Sequence, residues 1–262
     1  MTTTTETYRA EQVEVAGLRV QYLQGGTGEP ILVLHHSIGN PGWLSFHQEL
    51  AGSNSVCAPD LPGYGQSERP EWARDPRDLA ILLHQMLDKQ GVEDISVIGL
   101  GFGGWVAAEM ATMHQHRISS MVLVGAPGIQ PEEGEILDQM LIDYHEYVQA
   151  GFHDESKYDA EFGESPDPEI MELWDFSREM TARLTWKPYM FNRRLSALLG
   201  EVQTPTLIVW GDNDAVVPIS VAHAYEQALA NARIEVIPDC GHLVDLEQPA
   251  RLAELAVAHF GS

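Results

Sequence analysis

The stretch Ile95-Ser96-Val97-Ile98-Gly99-Leu100-Gly101-Phe102-Gly103-Gly104-Trp105 limits the fold more than any other part of the chain. Its short, continuously apolar start reads as a strand buried on both faces. A glycine-rich corner then leads without a loop into an apolar segment of helical length. A strand that passes straight into a helix is the opening half of a βαβ unit, and such units build parallel sheets.

The same alternation recurs along the chain. Val13–Val15 and Arg19–Leu23, separated by Ala16 and Gly17, read as an antiparallel hairpin. Ile31–His35, Val56–Pro59, Ile95–Gly99, Met121–Val124, Thr206–Trp210 and Ile234–Ile237 read as short buried strands, which predicts a sheet of about eight strands, mostly parallel. Helical patterns fall at 76–89, 103–115, 219–230 and 248–259, the last opening on Pro249, a favoured first-turn residue. Residues 127–201 break the alternation. They hold no convincing strand and predict helices at 134–150, 168–184 and 190–199, so they are expected to form a helical cap inserted after the sixth strand. The core domain is then 1–126 with 202–262.

A length of 262 residues suits one α/β domain with such an insertion. The net charge of −24 makes nucleic acid and anionic membranes poor partners by repulsion. No apolar run reaches the roughly 18 residues of a membrane span. The polar start Met1–Tyr8 lacks the pattern of a secretory signal and reads as a frayed lead-in, so a cytoplasmic location is expected. Cys57 and Cys240 sit in or just after apolar strands and are expected to be buried thiols in a reducing compartment.

Five ordered blocks then point to a family. Leu34-His35-His36-Ser37-Ile38-Gly39-Asn40 follows the third strand, and Pro59-Asp60-Leu61-Pro62-Gly63-Tyr64-Gly65-Gln66-Ser67 follows the fourth. The glycine-rich corner is next. Gly211-Asp212-Asn213-Asp214-Ala215-Val216-Val217-Pro218 and Cys240-Gly241-His242, with Glu247-Gln248-Pro249 beyond, complete the set. In this order and spacing the blocks resemble the α/β-hydrolase superfamily over essentially the whole chain. The fold that this implies is an α/β-hydrolase sheet flanked by helices, with a cap.

The resemblance implies His242 as the catalytic base and Asp214 as its orienting carboxylate, with Asp212 a competing choice two residues earlier. Histidine suits that work because its ordinary pKa lies near neutrality. The resemblance also implies an oxyanion hole made by the amides of Phe102 and Ser37. The centre of the G-x-S-x-G elbow, however, is Gly101, so the nucleophile position is lost. Glycine relieves the strain of a turn that normally takes a positive φ, and it is expected to leave a void able to hold a water. A second departure is His36, standing where the family has glycine after its histidine; it is expected either to face the pocket or to turn into a surface loop. His36, Trp105, Trp174 and Tyr144 are candidate substrate-binding residues. Ser37 and Cys240 are weak substitutes for the nucleophile.

The expectation is a hydrolase or lyase acting on a small, largely apolar carbonyl or ester-type molecule, in which His242 and Asp214 activate water or a substrate proton. Serine esterase activity is not expected, and neither a cofactor nor a metal is implied. Two other readings stay open: a ligand-binding pseudoenzyme, and a cofactor-independent oxygenase of the same superfamily. Restoring a serine at position 101 alone is expected to create weak esterase activity, at a cost in stability.

Overall fold

The computed structural model describes residues 8–163 and 165–261, so the lead-in through Thr7 lies outside the described residues. The opening hairpin is longer than its apolar positions suggest. β1 (Tyr8–Val15) and β2 (Leu18–Gly25) pair antiparallel along their full length. β3 (Glu29–Leu34), β4 (Asn54–Pro59), β5 (Ile95–Leu100), β6 (Ile118–Val124), β7 (Thr206–Gly211) and β8 (Ala232–Ile237) add parallel strands in the order β1-β2-β4-β3-β5-β6-β7-β8. This is the eight-stranded, mostly parallel α/β-hydrolase sheet.

Continuous apolar strands follow from burial on both faces, because successive side chains point opposite ways. Leu32 and Leu34 join one core, while Ile31 and Val33 join the other. The first core contains residues of α2 (Pro76–Gln90), α3 (Phe102–His114) and α8 (Ser220–Ala228). The second contains residues of α1 (Ser45–Ala51) and α10 (Pro249–Phe260). Local signals set the helix starts. Asp75 caps α2 by accepting from the Arg77 N–H at 2.9 Å, with Pro76 in the first turn, and Pro249 opens α10.

Between β6 and β7 the chain forms α4 (Tyr144–Ala150), α5 (Glu155–Phe162), α6 (Pro168–Thr185) and α7 (Leu195–Leu199). The helices predicted at 134–150 and 190–199 are therefore both shorter. Asp143 caps α4, accepting from the His145 N–H, and the residues before it form turns. Met190 takes a positive φ of 56°, which a continuing helix cannot hold. α9 (Val244–Glu247) is a single turn between β8 and α10.

Candidate active site

The loops that leave the carboxyl ends of β3, β5, β7 and β8 converge on one edge of the sheet, which is where open α/β sheets bind ligands. The loop after β8 carries His242 and the loop after β7 carries Asp214, and the imidazole Nδ1 lies 2.8 Å from Asp214 Oδ2. The other oxygen, Oδ1, accepts from the N–H groups of Val216 and Val217, each at 2.8 Å. That fixes the carboxylate, so His242 Nδ1 donates and Nε2 is left to face the pocket. Asp212 has a different role: exposed, it accepts from the Cys240 N–H at 3.3 Å.

Gly101 is the hinge between β5 and α3. Its φ of 48° and ψ of −117° form a sharp corner that a side-chain-bearing residue adopts only with strain. Its N–H donates to the Val124 carbonyl at 2.8 Å, and the Gly103 N–H donates to the His35 carbonyl at 3.0 Å, joining the corner to the loop after β3. Among the described residues, neither the Phe102 nor the Ser37 amide N–H has an acceptor. A Cβ built on Gly101 would lie 3.1 Å from His242 Nε2, so the base faces the tip of the corner.

The same Cβ would lie only 2.4 Å from His36 Nδ1. The expected water-sized void beside Gly101 is therefore absent: the His36 ring fills it. His36 is 4% exposed and turns inward rather than into a surface loop. Its Nε2 lies 2.8 Å from Asp245 Oδ1, and its Nδ1 is buried without a hydrogen-bond partner. The site thus holds two imidazole–carboxylate pairs, His242–Asp214 and His36–Asp245, whose rings meet edge to face with centroids 5.2 Å apart. Asp245, from α9, was not singled out in the sequence. The available signal was the bulky His36 in a glycine's place, since a buried imidazole needs a partner.

His35 holds this loop. Its Nδ1 donates to the His36 carbonyl at 2.6 Å, and its Nε2 accepts from the Leu61 N–H at 3.0 Å. Accepting at Nε2 requires the neutral ring, and burial lowers its pKa to about 4. Tyr144 braces Ser37 from behind, its hydroxyl 3.1 Å from the Ser37 carbonyl and from Gln139 Oε1. Tyr147, stacked on Tyr144, brings its hydroxyl within 3.3 Å of Ser37 Oγ.

Glu247 is a second residue that sequence reasoning passed over. Buried in α9, it accepts from the N–H groups of His153 at 3.0 Å and Asp154 at 2.9 Å, and from that of Gly241 beside His242. It ties the His242 loop to the chain between α4 and α5. Glu247→Ala is expected to cost about 2–6 kcal/mol, because leaving the buried Gly241 N–H unpaired costs about 1–3 kcal/mol and each of the two part-buried hydrogen bonds contributes about 0.5–1.5 kcal/mol. Urea unfolding measures this, and a loss below about 0.5 kcal/mol, the size of an ordinary surface change, would contradict it.

A crevice too narrow to admit a water molecule adjoins His242, lined by residues that include His36, Ser37, Tyr147, Val216 and Leu243. Trp105 and Trp174 do not line it. Trp105 packs in the core near Phe102, and Trp174 packs edge to face on Phe162. Tyr144 does not line the crevice and reaches the site through Ser37 and Tyr147. Burial, with Glu247 nearby, pushes the Cys240 thiol far above its ordinary pKa, which removes it as a nucleophile. Among the described residues, no three His, Cys, Asp or Glu side chains gather as metal ligands would, and no helix is long and apolar enough to cross a membrane.

Residues 31–255 match the model of the alpha/beta hydrolase family. The chain is 28% identical to 2-hydroxymuconate semialdehyde hydrolase of Pseudomonas sp. strain CF600, across 93% of this chain and 91% of that protein. Among solved structures it resembles a mutant of the meta-cleavage product hydrolase from Pseudomonas fluorescens IP01 complexed with acetates. The TM-score there is 0.82 and the identity 24%, over 96% of this chain and 97% of the other. A serine hydrolase involved in carbazole degradation superposes with a TM-score of 0.78 at 21% identity, over 97% of this chain and 99% of the other.

Proposed function

The chain belongs to the alpha/beta hydrolase family, and from its site we propose that it hydrolyses a small carbonyl or ester-type substrate without an acyl-serine. His242, oriented by Asp214, takes the proton of a water molecule. The Phe102 and Ser37 amides receive the oxyanion, with α3 adding the favourable field of a helix N-terminus. Residues 127–201 act as the cap that encloses the substrate. The observation that carries this reading is the 2.8 Å His242–Asp214 contact, with the free Nε2 turned toward the elbow tip. The name of the relative from Pseudomonas sp. strain CF600 supplies a starting substrate, 2-hydroxymuconate semialdehyde.

His242→Gln is expected to lower kcat on such a substrate by about 10²–10⁴-fold, the usual contribution of a positioned general base. Affinity is expected to change by no more than about threefold, because the base acts in the transition state. Steady-state kinetics with binding by calorimetry measures both. Unchanged turnover in the variant would overturn the assignment. A second reading, a ligand-binding protein, draws on the absence of a hydroxyl at the elbow tip, where Gly101 stands. It takes over if ligands bind without turnover and His242→Gln alters affinity alone.

A further inference from the structure

Two residues depart from the family pattern, His36 in place of glycine and Gly101 in place of serine, and in space they meet at one point. The ring of one fills the room that the other gives up, with Nδ1 2.4 Å from where a Cβ on residue 101 would stand. Because Nε2 donates to Asp245, the neutral ring carries its lone pair on Nδ1, which is buried, unpartnered and turned to the elbow tip. Resting on the hydrolase reading, we propose that His36 replaces the absent serine as nucleophile toward a small acyl group, with Asp245 holding its ring.

The surroundings fit that role. Burial lowers the pKa of His36 against the opposing pull of Asp245, which keeps the lone pair free near neutral pH. Burial would raise the Asp245 carboxyl, but its contact with His36 outweighs this and keeps it anionic. His242 and Asp214 face the ring on one side, and His47 stands near Asp245 on the other. Two other candidates among the described residues are set aside. The Cys240 thiol is held protonated by burial, and the Ser37 hydroxyl pairs with Tyr147.

The step balances without a co-reactant. The Nδ1 lone pair forms a bond to the carbonyl carbon of R–CO–X, and the π pair moves to oxygen. Collapse expels X with its bonding electrons, and the acylated ring passes its Nε2 proton to Asp245. His242 then takes a proton from water, and hydroxide adds to the acyl carbon. The C–N bond breaks, Asp245 returns its proton to Nε2, and the proton on His242 ends on X. The sum is R–CO–X plus water giving R–COOH and HX.

The test uses the full chain and 4-nitrophenyl acetate, a small activated acyl donor. The expected result is a burst of nitrophenolate approaching one per chain, and an acetyl group mapped to His36 by peptide mass spectrometry. The two histidines are expected to behave oppositely. His36→Gln abolishes burst and adduct, whereas His242→Gln keeps the burst and lets the adduct persist. Asp245→Asn is expected to slow acylation by about 10²-fold or more, as loss of an orienting carboxylate does, with any label still on His36. It also serves if His36→Gln fails to fold by circular dichroism. Normal turnover in His36→Gln, or an acetyl group on another residue, overturns the proposal and leaves the His242 reading standing. Turnover indifferent to both histidines, or absent altogether, overturns both.

Discussion

Gly101→Ser alone is expected to yield no serine esterase, whereas the same change combined with His36→Gly and Asp245→Asn is expected to yield one. The reason is steric. In the present site a Cβ at position 101 would stand 2.4 Å from His36 Nδ1, closer than non-bonded atoms approach. The single variant must displace a ring held by Asp245 and also accept a φ of 48°, a strain of about 1–3 kcal/mol. Removing the ring clears the space. Asp245→Asn is needed because a buried carboxylate without its partner costs about 3–5 kcal/mol. Position 101 then has His242 Nε2 on its open side, 3.1 Å from the Cβ point, with Asp214 behind it. Acetyl transferred from 4-nitrophenyl acetate and mapped to position 101 is the readout. Label at that position in the single variant would mean that His36 does not block it. A folded triple variant without label would mean that His242 is not aimed at the tip.

The sequence alone led to a different expectation for that experiment, and the difference is physical. Period and glycine placement reveal which strand turns into which helix, so the sheet and the elbow were legible. The His242 and Asp214 loops were picked out by the family resemblance of their motifs. None of these signals reveals which side chain enters space vacated elsewhere. Residues 36 and 101 are joined only through the fold, and Asp245 lies 209 positions from its partner. Short helices were hidden for a related reason. α1 has no side-chain oxygen at its N-cap Leu44, whose N–H is taken instead by the His47 ring. Trp105 and Trp174 looked like pocket residues because large aromatics are indistinguishable in sequence whether they line a cavity or fill a core. Glu247 was quoted only as part of a motif, and its three backbone partners come from two other segments.

The second large effect is expected on acidification. His35 and His47 are buried, and burial lowers each pKa from an ordinary 6.5 to about 4. Both rings also accept a backbone N–H, from Leu61 at 3.0 Å and from Leu44 at 3.1 Å, and protonation would destroy each bond. The sign follows directly. Between pH 6.5 and 4 the unfolded chain binds the proton that the folded chain refuses, so this stability is complete above about 6.5 and is lost as pH falls toward 4. At about 1.36 kcal/mol per pH unit, each imidazole accounts for about 3 kcal/mol across that window. The raw pH curve will understate this. Acid also relieves self-repulsion in a chain of net charge −24, and the buried carboxyls of Asp60 and Glu109, raised chiefly by burial, gain stability as they protonate. The informative quantity is therefore a difference of differences. Urea unfolding of the parent chain and of a His35→Gln, His47→Gln variant at pH 7 and pH 4.5 removes the shared terms. The variant is expected to start less stable at pH 7 and to lose several kcal/mol less on acidification. Equal losses in the two chains would mean that neither ring is kept neutral by the fold, and His35 could not then be the fixed support on which the His36 loop is built.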